Sequence, residues 1–221
     1  MVYRLYGVQD FANLAVHAAL EECGAPYEAV FLDMDAGDLK SPAHLARHPL
    51  GLVPALDTPD GTMFETGACL LYLTERHAGL GPRPGEAGRA AFLSWFVYAN
   101  NSLHTGTMDL VHPYRVAGDE HARIVCEGAH ERLRERLAVM ETFAATRPAW
   151  MTPEAPGVLG IYLSMLLRWV KAFAYAPDLA ISAQDYPALH AIAAACEARP
   201  AIQRAAAANG LSGRFFTDPE G

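Results

Sequence analysis

Residues 48–77 read HPLGLVPALDTPDGTMFETGACLLYLTERH, and this stretch decides the fold of the first third of the chain. Residues 54–56 and 62–64 are short apolar segments on either side of Pro59-Asp60-Gly61, a turn signal that favours a β-hairpin. From Thr66 to about residue 77 the pattern is helical. The stretch therefore predicts two strands joined by a tight turn, followed at once by a helix.

The residues before this stretch alternate strand and helix signals. Residues 2–6 and 27–32 are typical of strands. Residues 14–23 are rich in Ala and Leu and stop at Gly24, a residue type common just after a helix end. Ser41 followed by Pro42 predicts the start of a short helix, with Ser41 as its N-cap. The predicted order of elements is βαβαββα.

A change of character follows the last of these helices. Residues 78–88 read AGLGPRPGEAG, with four Gly and two Pro in eleven positions, which indicates a linker. We therefore predict a first domain over residues 1–78, a linker over 79–86 and a second domain over 87–221.

Every periodic signal beyond the linker is helical. Apolar residues repeat at helical spacing in three segments, and residues 158–170 are apolar nearly all round, which predicts a central buried helix. The three predicted buried faces comprise Phe92, Phe96, Ala99 and Leu103; Cys126, Leu133, Leu137 and Met140; and Leu189, Ile192, Ala193 and Cys196.

Composition and charge exclude several classes of protein. The chain has 221 residues, 52% hydrophobic and 19% charged, an ordinary balance for a globular protein. Its net charge of −8 argues against binding the phosphate backbone of nucleic acids. The longest strongly apolar uncharged run, residues 155–167, is too short to span a bilayer. The N-terminus lacks an apolar signal core and the four cysteines are widely spaced, so we expect a cytoplasmic protein with free thiols and no metal site.

Taken together, the βαβαββα order, the short linker and the helical remainder resemble the plan of cytosolic glutathione transferases. Three segments carry the resemblance: residues 48–77, residues 14–28 (LAVHAALEECGAPYE) and residues 186–205 (YPALHAIAAACEARPAIQRA). The second resembles bacterial, beta-like members. The resemblance implies an α/β plus all-α protein, in which a thioredoxin-like domain precedes a glutathione-transferase-type helical bundle.

The resemblance also implies a glutathione site in the first domain. A cis peptide at Val53-Pro54 would turn the backbone of Val53 outward to pair with the extended tripeptide. Thr66 would offer helix N-terminal N–H groups to the γ-glutamyl carboxylate, while Glu65 would pair with the adjacent ammonium. Lys40 would reach the glycyl carboxylate. The alternatives are an ordinary Pro at a strand start, a Thr66 that only caps its helix, and a solvated Glu65 and Lys40.

The position that stabilises the glutathione thiolate is atypical. In relatives a Ser, Tyr or Cys lies near the start of the first helix, whereas residues 7–13 read GVQDFAN. Alignment places Ala12 where beta-type members have Cys, and Asp10 near the position of Ser in serine-type members. Without those groups, sulfur must be stabilised by other donors.

Three residues could replace the missing groups. Asn13 offers an amide at the helix start, Tyr6 ends the first strand, and His104 resembles a histidine that beta-type members bring from their first long helix. Tyr6 and His104 are also explained as packing residues. A thiol pKa lowered from about 8.5 to about 6.5 needs about 2.7 kcal/mol. One hydrogen bond to a charged group contributes about 1.5–3 kcal/mol, so a single donor with helix N–H groups suffices.

The resemblance therefore implies a glutathione transferase that adds the glutathione thiolate to a small hydrophobic electrophile. The electrophile would lie in a pocket against the helical domain, where Tyr98, Tyr114 and Trp169 are either lining or core residues. The resemblance implies a homodimer. Two alternatives stay open: a non-catalytic glutathione-binding or interaction protein of the same fold, and a glutathione-dependent disulfide reductase.

Overall fold

The computed structural model describes residues 2–220, which form two compact units. Of the described residues, the first unit comprises 2–84 and 199–212, and the second comprises 85–198 and 213–220. Residues 77–88, between the last helix of the βαβαββα region and the next helix, contain neither helix nor strand. Within the described residues, no helix is long and apolar enough to cross a membrane.

A four-stranded mixed sheet forms the centre of the first unit. Its strands lie in the order β2-β1-β3-β4, with β1 parallel to β2 and the other two pairs antiparallel. Leu5 of β1 lies opposite Leu56 of β3, and both side chains are buried. The strands are β1 (Tyr3–Gly7), β2 (Tyr27–Phe31), β3 (Ala55–Thr58) and β4 (Gly61–Phe64).

Three helices alternate with these strands in the predicted βαβαββα order, giving a thioredoxin-like domain. They are α1 (Asn13–Cys23), α2 (Pro42–Leu45) and α3 (Thr66–Arg76), with a 3₁₀ turn at Asp38–Lys40 before α2. Helix α1 is followed directly by Gly24, which has a φ of 65°. Glycine suits this conformation because it has no Cβ. Ser41 caps α2 as predicted, its hydroxyl oxygen accepting the N–H of His44 at 3.2 Å.

All regular secondary structure in the described part of the second unit is helical. Its helices are α4 (Arg89–Tyr98), α5 (Thr105–Val111), α6 (Tyr114–Ala117), α7 (Ala122–Ala144), α8 (Gly157–Ala172) and α9 (Pro187–Glu197). A π-helical segment, Ala99–His104, joins α4 to α5, and 3₁₀ turns lie at Asp119–His121, Pro177–Leu179 and Ala183–Asp185.

Helix α8 is the core of this unit, as its apolar sequence predicted. Every residue from 157 to 170 is buried, and no side chain caps its N-terminus. Helix α9 packs on α8, and a side chain of α7 caps its N-terminal end. The carboxylate of Glu141 accepts the N–H groups of Ala188 at 2.8 Å and Leu189 at 2.9 Å. A negative charge at a helix start also interacts favourably with the helix dipole.

One segment groups differently from the predicted domains. Residues 199–212, predicted within the second domain, belong to the first unit. They contain the last helix, α10 (Pro200–Ala208), which packs against α1 and buries Ile202, Ala205 and Ala206. The periodicity of α10 shows that it buries one face, but not which partner covers it.

Candidate functional site

The loop before β3 carries the first predicted contact for glutathione. The peptide bond between Val53 and Pro54 is cis, as predicted. Among residues 2–220, no hydrogen bond engages the N–H or C=O of Val53. Both backbone groups are therefore available to an extended ligand that lies alongside them.

The start of α3 forms the second predicted contact. Glu65 precedes the helix, is exposed, and has a φ of 72°, a conformation that costs a non-glycine residue energy. Hydrogen bonding within α3 begins where Cys69 N–H donates to the C=O of Glu65 at 3.0 Å. In the described chain, the earlier N–H groups of Thr66, Gly67 and Ala68 have no acceptor, and no side chain caps this end. An uncapped helix start of this kind is suited to a carboxylate.

Lys40, the third predicted contact for glutathione, lies beside the loop before β3. Its Nζ atom donates to the C=O of Leu50 at 2.8 Å, and the side chain is exposed. An ammonium has three N–H donors, so this bond leaves capacity for a carboxylate.

Asn13 is fully buried, and both of its polar atoms are engaged. Its Oδ1 atom accepts the N–H of Val8 at 3.0 Å, and its Nδ2 atom donates to Oδ1 of Asn209 at 3.1 Å. The side chain also packs so closely on Gly7 that a Cβ there would lie 2.3 Å from Cγ of Asn13. In this conformation the amide cannot turn to a ligand without breaking one of these bonds. These contacts give Asn13 a positioning role in this loop, and donation from its second Nδ2 hydrogen to sulfur stays a prediction.

The bond from Asn13 continues into a chain of hydrogen bonds that leads from the buried interior to the surface. Asn209 donates through Nδ2 to Nδ1 of His17 at 3.0 Å, so this nitrogen carries no proton. His17 then donates through Nε2 to the hydroxyl of Tyr27 at 2.8 Å, and Tyr27 donates to the carboxylate of Glu21 at 2.5 Å. Glu21 in turn pairs with Arg204 of α10 at 2.7 Å. Burial lowers the pKa of His17, which agrees with a neutral ring.

Tyr6 has its hydroxyl satisfied within the sheet. The hydroxyl donates to the carboxylate of Asp57 on β3 at 3.1 Å, and the guanidinium of Arg47 lies 4.1 Å from the ring centroid. The side chain is 5% exposed. These contacts support the packing explanation for Tyr6.

Three of the four cysteines lie in environments that disfavour a thiolate. Burial raises the pKa of Cys69 to about 12, and burial also raises the pKa of Cys23 and of Cys126.

The start of α1 offers backbone donors but no polar side chain at Ala12. Ala12 presents only a methyl group, while the N–H groups of Ala12 and Asn13 have no acceptor among the described residues.

His104 belongs to the second unit, where it lies in a polar cluster. Its Nδ1 atom bonds to the hydroxyl of Tyr162 at 2.6 Å, and Tyr162 donates to Oδ1 of Asn100 at 3.0 Å. Because Tyr162 donates its proton to Asn100, His104 is the donor in its own bond and its Nε2 atom is left unprotonated. Burial lowers the pKa of His104 to about 4. The role of His104 toward the thiol stays a prediction.

The three aromatic residues named from the sequence also lie in the second unit. Tyr98 donates its hydroxyl to the C=O of Arg136 at 3.1 Å, and Tyr114 is exposed. Trp169 lies edge-on to the ring of His104, with centroids 5.6 Å apart, and its buried Nε1 atom has no partner among the described residues.

Sequence reasoning gave no role to Asn209 or His44 and only a structural one to His48. All three side chains are buried. Asn209 bonds to the loop between β1 and α1, whereas His44 and His48 bond to the loop before β3. His48 is the first residue of the stretch over residues 48–77 and directly precedes Pro49, so its position was a usable signal. Asn209 lies 196 residues from Asn13, and no local pattern connects them.

Comparison with known proteins agrees with this architecture. Residues 1–75 match the family model described as "Glutathione S-transferase, N-terminal domain". Glutathione S-transferase 1 of Zea mays is 32% identical over 145 residues, covering 62% of this chain and 67% of the maize protein. "Probable glutathione S-transferase GSTF2" of Oryza sativa subsp. japonica is 31% identical over 130 residues, and the match spans 60% of its length.

Solved structures extend the similarity over nearly the whole chain. A glutathione S-transferase from Xylella fastidiosa has a TM-score of 0.78 and 25% identity, covering 95% of this chain and all of that one. A sphingomonad glutathione S-transferase complexed with glutathione has a TM-score of 0.75 and 30% identity, with the same coverage. The chain belongs to the glutathione S-transferase family, with a thioredoxin-like domain followed by an all-helical domain, as the sequence predicted.

Proposed function

We propose that this protein binds glutathione in its first unit and transfers the glutathione thiolate to a small hydrophobic electrophile. The start of α3 is the observation that carries the proposal. There an exposed Glu65 at φ 72° stands beside three N–H groups without an acceptor in the described chain. Backbone strain at an exposed acidic residue costs free energy that a binding role explains.

Each part of the tripeptide has a counterpart among the candidate residues. The γ-glutamyl carboxylate takes the N–H groups at Thr66 and Gly67, and its ammonium pairs with Glu65. The cysteinyl backbone pairs with Val53 beside Pro54. The glycyl carboxylate pairs with Lys40, which keeps its bond to the C=O of Leu50.

The thiolate would be stabilised by backbone rather than by a side-chain hydroxyl or thiol. The N–H groups of Ala12 and Asn13 lie at the start of α1, where unpaired donors and the helix dipole favour a negative charge. Asn13 contributes by fixing this loop through its bond to the N–H of Val8. The loss of Ser and Cys is therefore compatible with activity.

A non-catalytic glutathione-binding protein is the second candidate. Ala12 supplies no polar side chain, and the amide of Asn13 is engaged within the unit. A glutathione-dependent disulfide reductase, which needs no cysteine of its own when two glutathiones carry the redox chemistry, is the third.

Binding and turnover separate the three candidates. Calorimetry with glutathione should show binding that falls at least tenfold in Glu65→Ala, since a charge-assisted bond is lost. Turnover with an aryl halide identifies a transferase, and turnover with a small mixed disulfide alone identifies a reductase. Binding without either activity identifies the non-catalytic protein, and no binding refutes the proposal.

The predicted homodimer is part of the proposal. Leu50, Leu52 and Phe64, which adjoin the candidate site in the first unit, are 66%, 49% and 39% exposed. Large apolar side chains grouped on a surface are typical of interfaces. Sedimentation should give a dimer at micromolar concentration, and Leu50→Glu should shift it toward monomer.

A further inference from the structure

Two buried histidines hold the loop that leads into Val53. His44 and His48 are 1% and 3% exposed and lie one helical turn apart, on and just after α2. His44 donates through Nε2 to the C=O of Leu52 at 2.8 Å. His48 accepts the N–H of Leu50 through Nδ1 at 3.3 Å. Lys40 donates to the C=O of Leu50. Side chains therefore form hydrogen bonds with three backbone groups of this loop, which lies outside the sheet.

The two histidines respond differently to protonation. A carbonyl oxygen only accepts, so His44 donates to Leu52 whether its ring is neutral or charged. The Nδ1 atom of His48 accepts, so a proton on that nitrogen removes the acceptor of the Leu50 N–H. The bond at Leu50 therefore exists only with a neutral His48.

His48 also connects the two predicted contacts for glutathione. Its ring packs on Phe64, with centroids 4.9 Å apart, and Phe64 directly precedes Glu65. On its other side, its bond to Leu50 restrains the loop that ends at Val53. A change at His48 would thus move both Val53 and Glu65.

We infer that His44 and His48 are positioning residues for glutathione, and that full affinity requires the neutral ring of His48. The inference rests on the proposed function, because it assigns a consequence to glutathione binding. The charged groups around His48 are Glu65, which favours its protonation, and Lys40 and His44, which oppose it. Burial outweighs them and lowers the pKa of His48, so the ring is neutral at neutral pH.

A titration of ligand affinity tests this inference. S-methylglutathione is the probe because it has no ionisable thiol, and its carboxylates and amine keep their charges between about pH 5 and pH 7. In the parent protein, affinity should fall about five- to tenfold as pH drops through the pKa of His48, the effect of one lost hydrogen bond.

Substitutions at His48 separate titration from packing. An Asn side-chain oxygen accepts the N–H two residues ahead in an Asx turn, so His48→Asn keeps the bond but cannot titrate. His48→Asn should bind as the parent does at neutral pH and show no loss at low pH. His48→Leu should bind about five- to tenfold more weakly at every pH. His44→Ala should weaken binding but leave the shape of the pH profile unchanged.

His77 provides the matched control. It lies in the same unit, burial lowers its pKa, and it bonds to the hydroxyl of Tyr3 at 3.0 Å rather than to the loop. His77→Asn should keep the pH profile of the parent. Parent affinity that is independent of pH, or a pH dependence that survives in His48→Asn, would overturn the inference while leaving the proposed function intact. Failure of the folded parent to bind at any pH would overturn both.

Discussion

Asn13 and Asn209 share a buried hydrogen bond of 3.1 Å although they lie 196 residues apart in the sequence. The bond joins the start of α1 to the residue that follows α10. All polar groups of the Asn209 side chain are used, since Oδ1 also accepts the N–H of Asp10 at 3.4 Å and Nδ2 also donates to the C=O of Ala205 at 2.8 Å. The loop between β1 and α1, where the thiol is proposed to lie, therefore depends on the C-terminal helix.

Removal of the Asn209 side chain should cost both stability and binding. Asn209→Ala leaves buried polar atoms of Asn13 and His17 without partners, at about 1–3 kcal/mol each. We expect the free energy of unfolding in urea to fall by about 2–4 kcal/mol and glutathione affinity to fall with it. Asn101→Ala, at an exposed position, should cost less than about 0.5 kcal/mol. Equal losses in the two variants would contradict the role of Asn209.

Substitutions at Glu65 should separate backbone strain from binding. Glu65→Gly accepts the φ of 72° without a Cβ, so the variant should be more stable than the parent by about 1 kcal/mol. Glu65→Ala keeps the strain and should show no such gain. Both variants should lose glutathione binding at least tenfold. Thermal unfolding measures the stability of each variant, and calorimetry on the same samples measures its glutathione affinity. A gain in stability in both variants, or in neither, would argue against backbone strain at Glu65.

Two glycines with similar backbone conformations should differ sharply in their tolerance of alanine. Gly51 has a φ of 60°, and a Cβ there would lie 2.3 Å from the carbonyl oxygen of Leu39. Gly24 has a φ of 65° with open space around it. Gly24→Ala should cost about 1 kcal/mol from conformation alone, whereas Gly51→Ala must also displace backbone and should cost about 3 kcal/mol or more. Similar midpoints in urea would contradict the packing at Gly51.

The partly buried His104 should make stability depend on pH. Its pKa of about 4 lies below the unfolded value of about 6.5, so the folded state binds fewer protons between these values. The contribution is complete above about pH 6.5 and is lost as the pH falls toward 4, to a total of about 3 kcal/mol. The difference in unfolding free energy between the parent and His104→Gln should therefore narrow as the pH falls, or reverse in sign. A constant difference across that range would refute the expectation.

Much of the fold was predictable because its signals are local. The turn at Pro59-Asp60-Gly61, the stop at Gly24 and the cap at Ser41 each act within a few residues, and the observed elements begin and end close to these signals. Residues 53–54 and 65–66 could likewise be named from the sequence, because each pair belongs to a continuous motif whose backbone is proposed to contact glutathione.

The amino-acid sequence by itself determined the order of elements, the buried faces of the long helices and the motif residues of the proposed glutathione site. Only the tertiary structure decided what the polar side chains do. Asn13 was predicted to donate to sulfur, and only the folded chain shows that Val8 and Asn209 bond to the two polar atoms of its amide. Tyr6 was one candidate for assisting the thiol, and only the folded sheet shows that Asp57 of β3 lies beside its hydroxyl. A buried polar group must find a partner, and when that partner lies on a distant segment, only the packed chain identifies it.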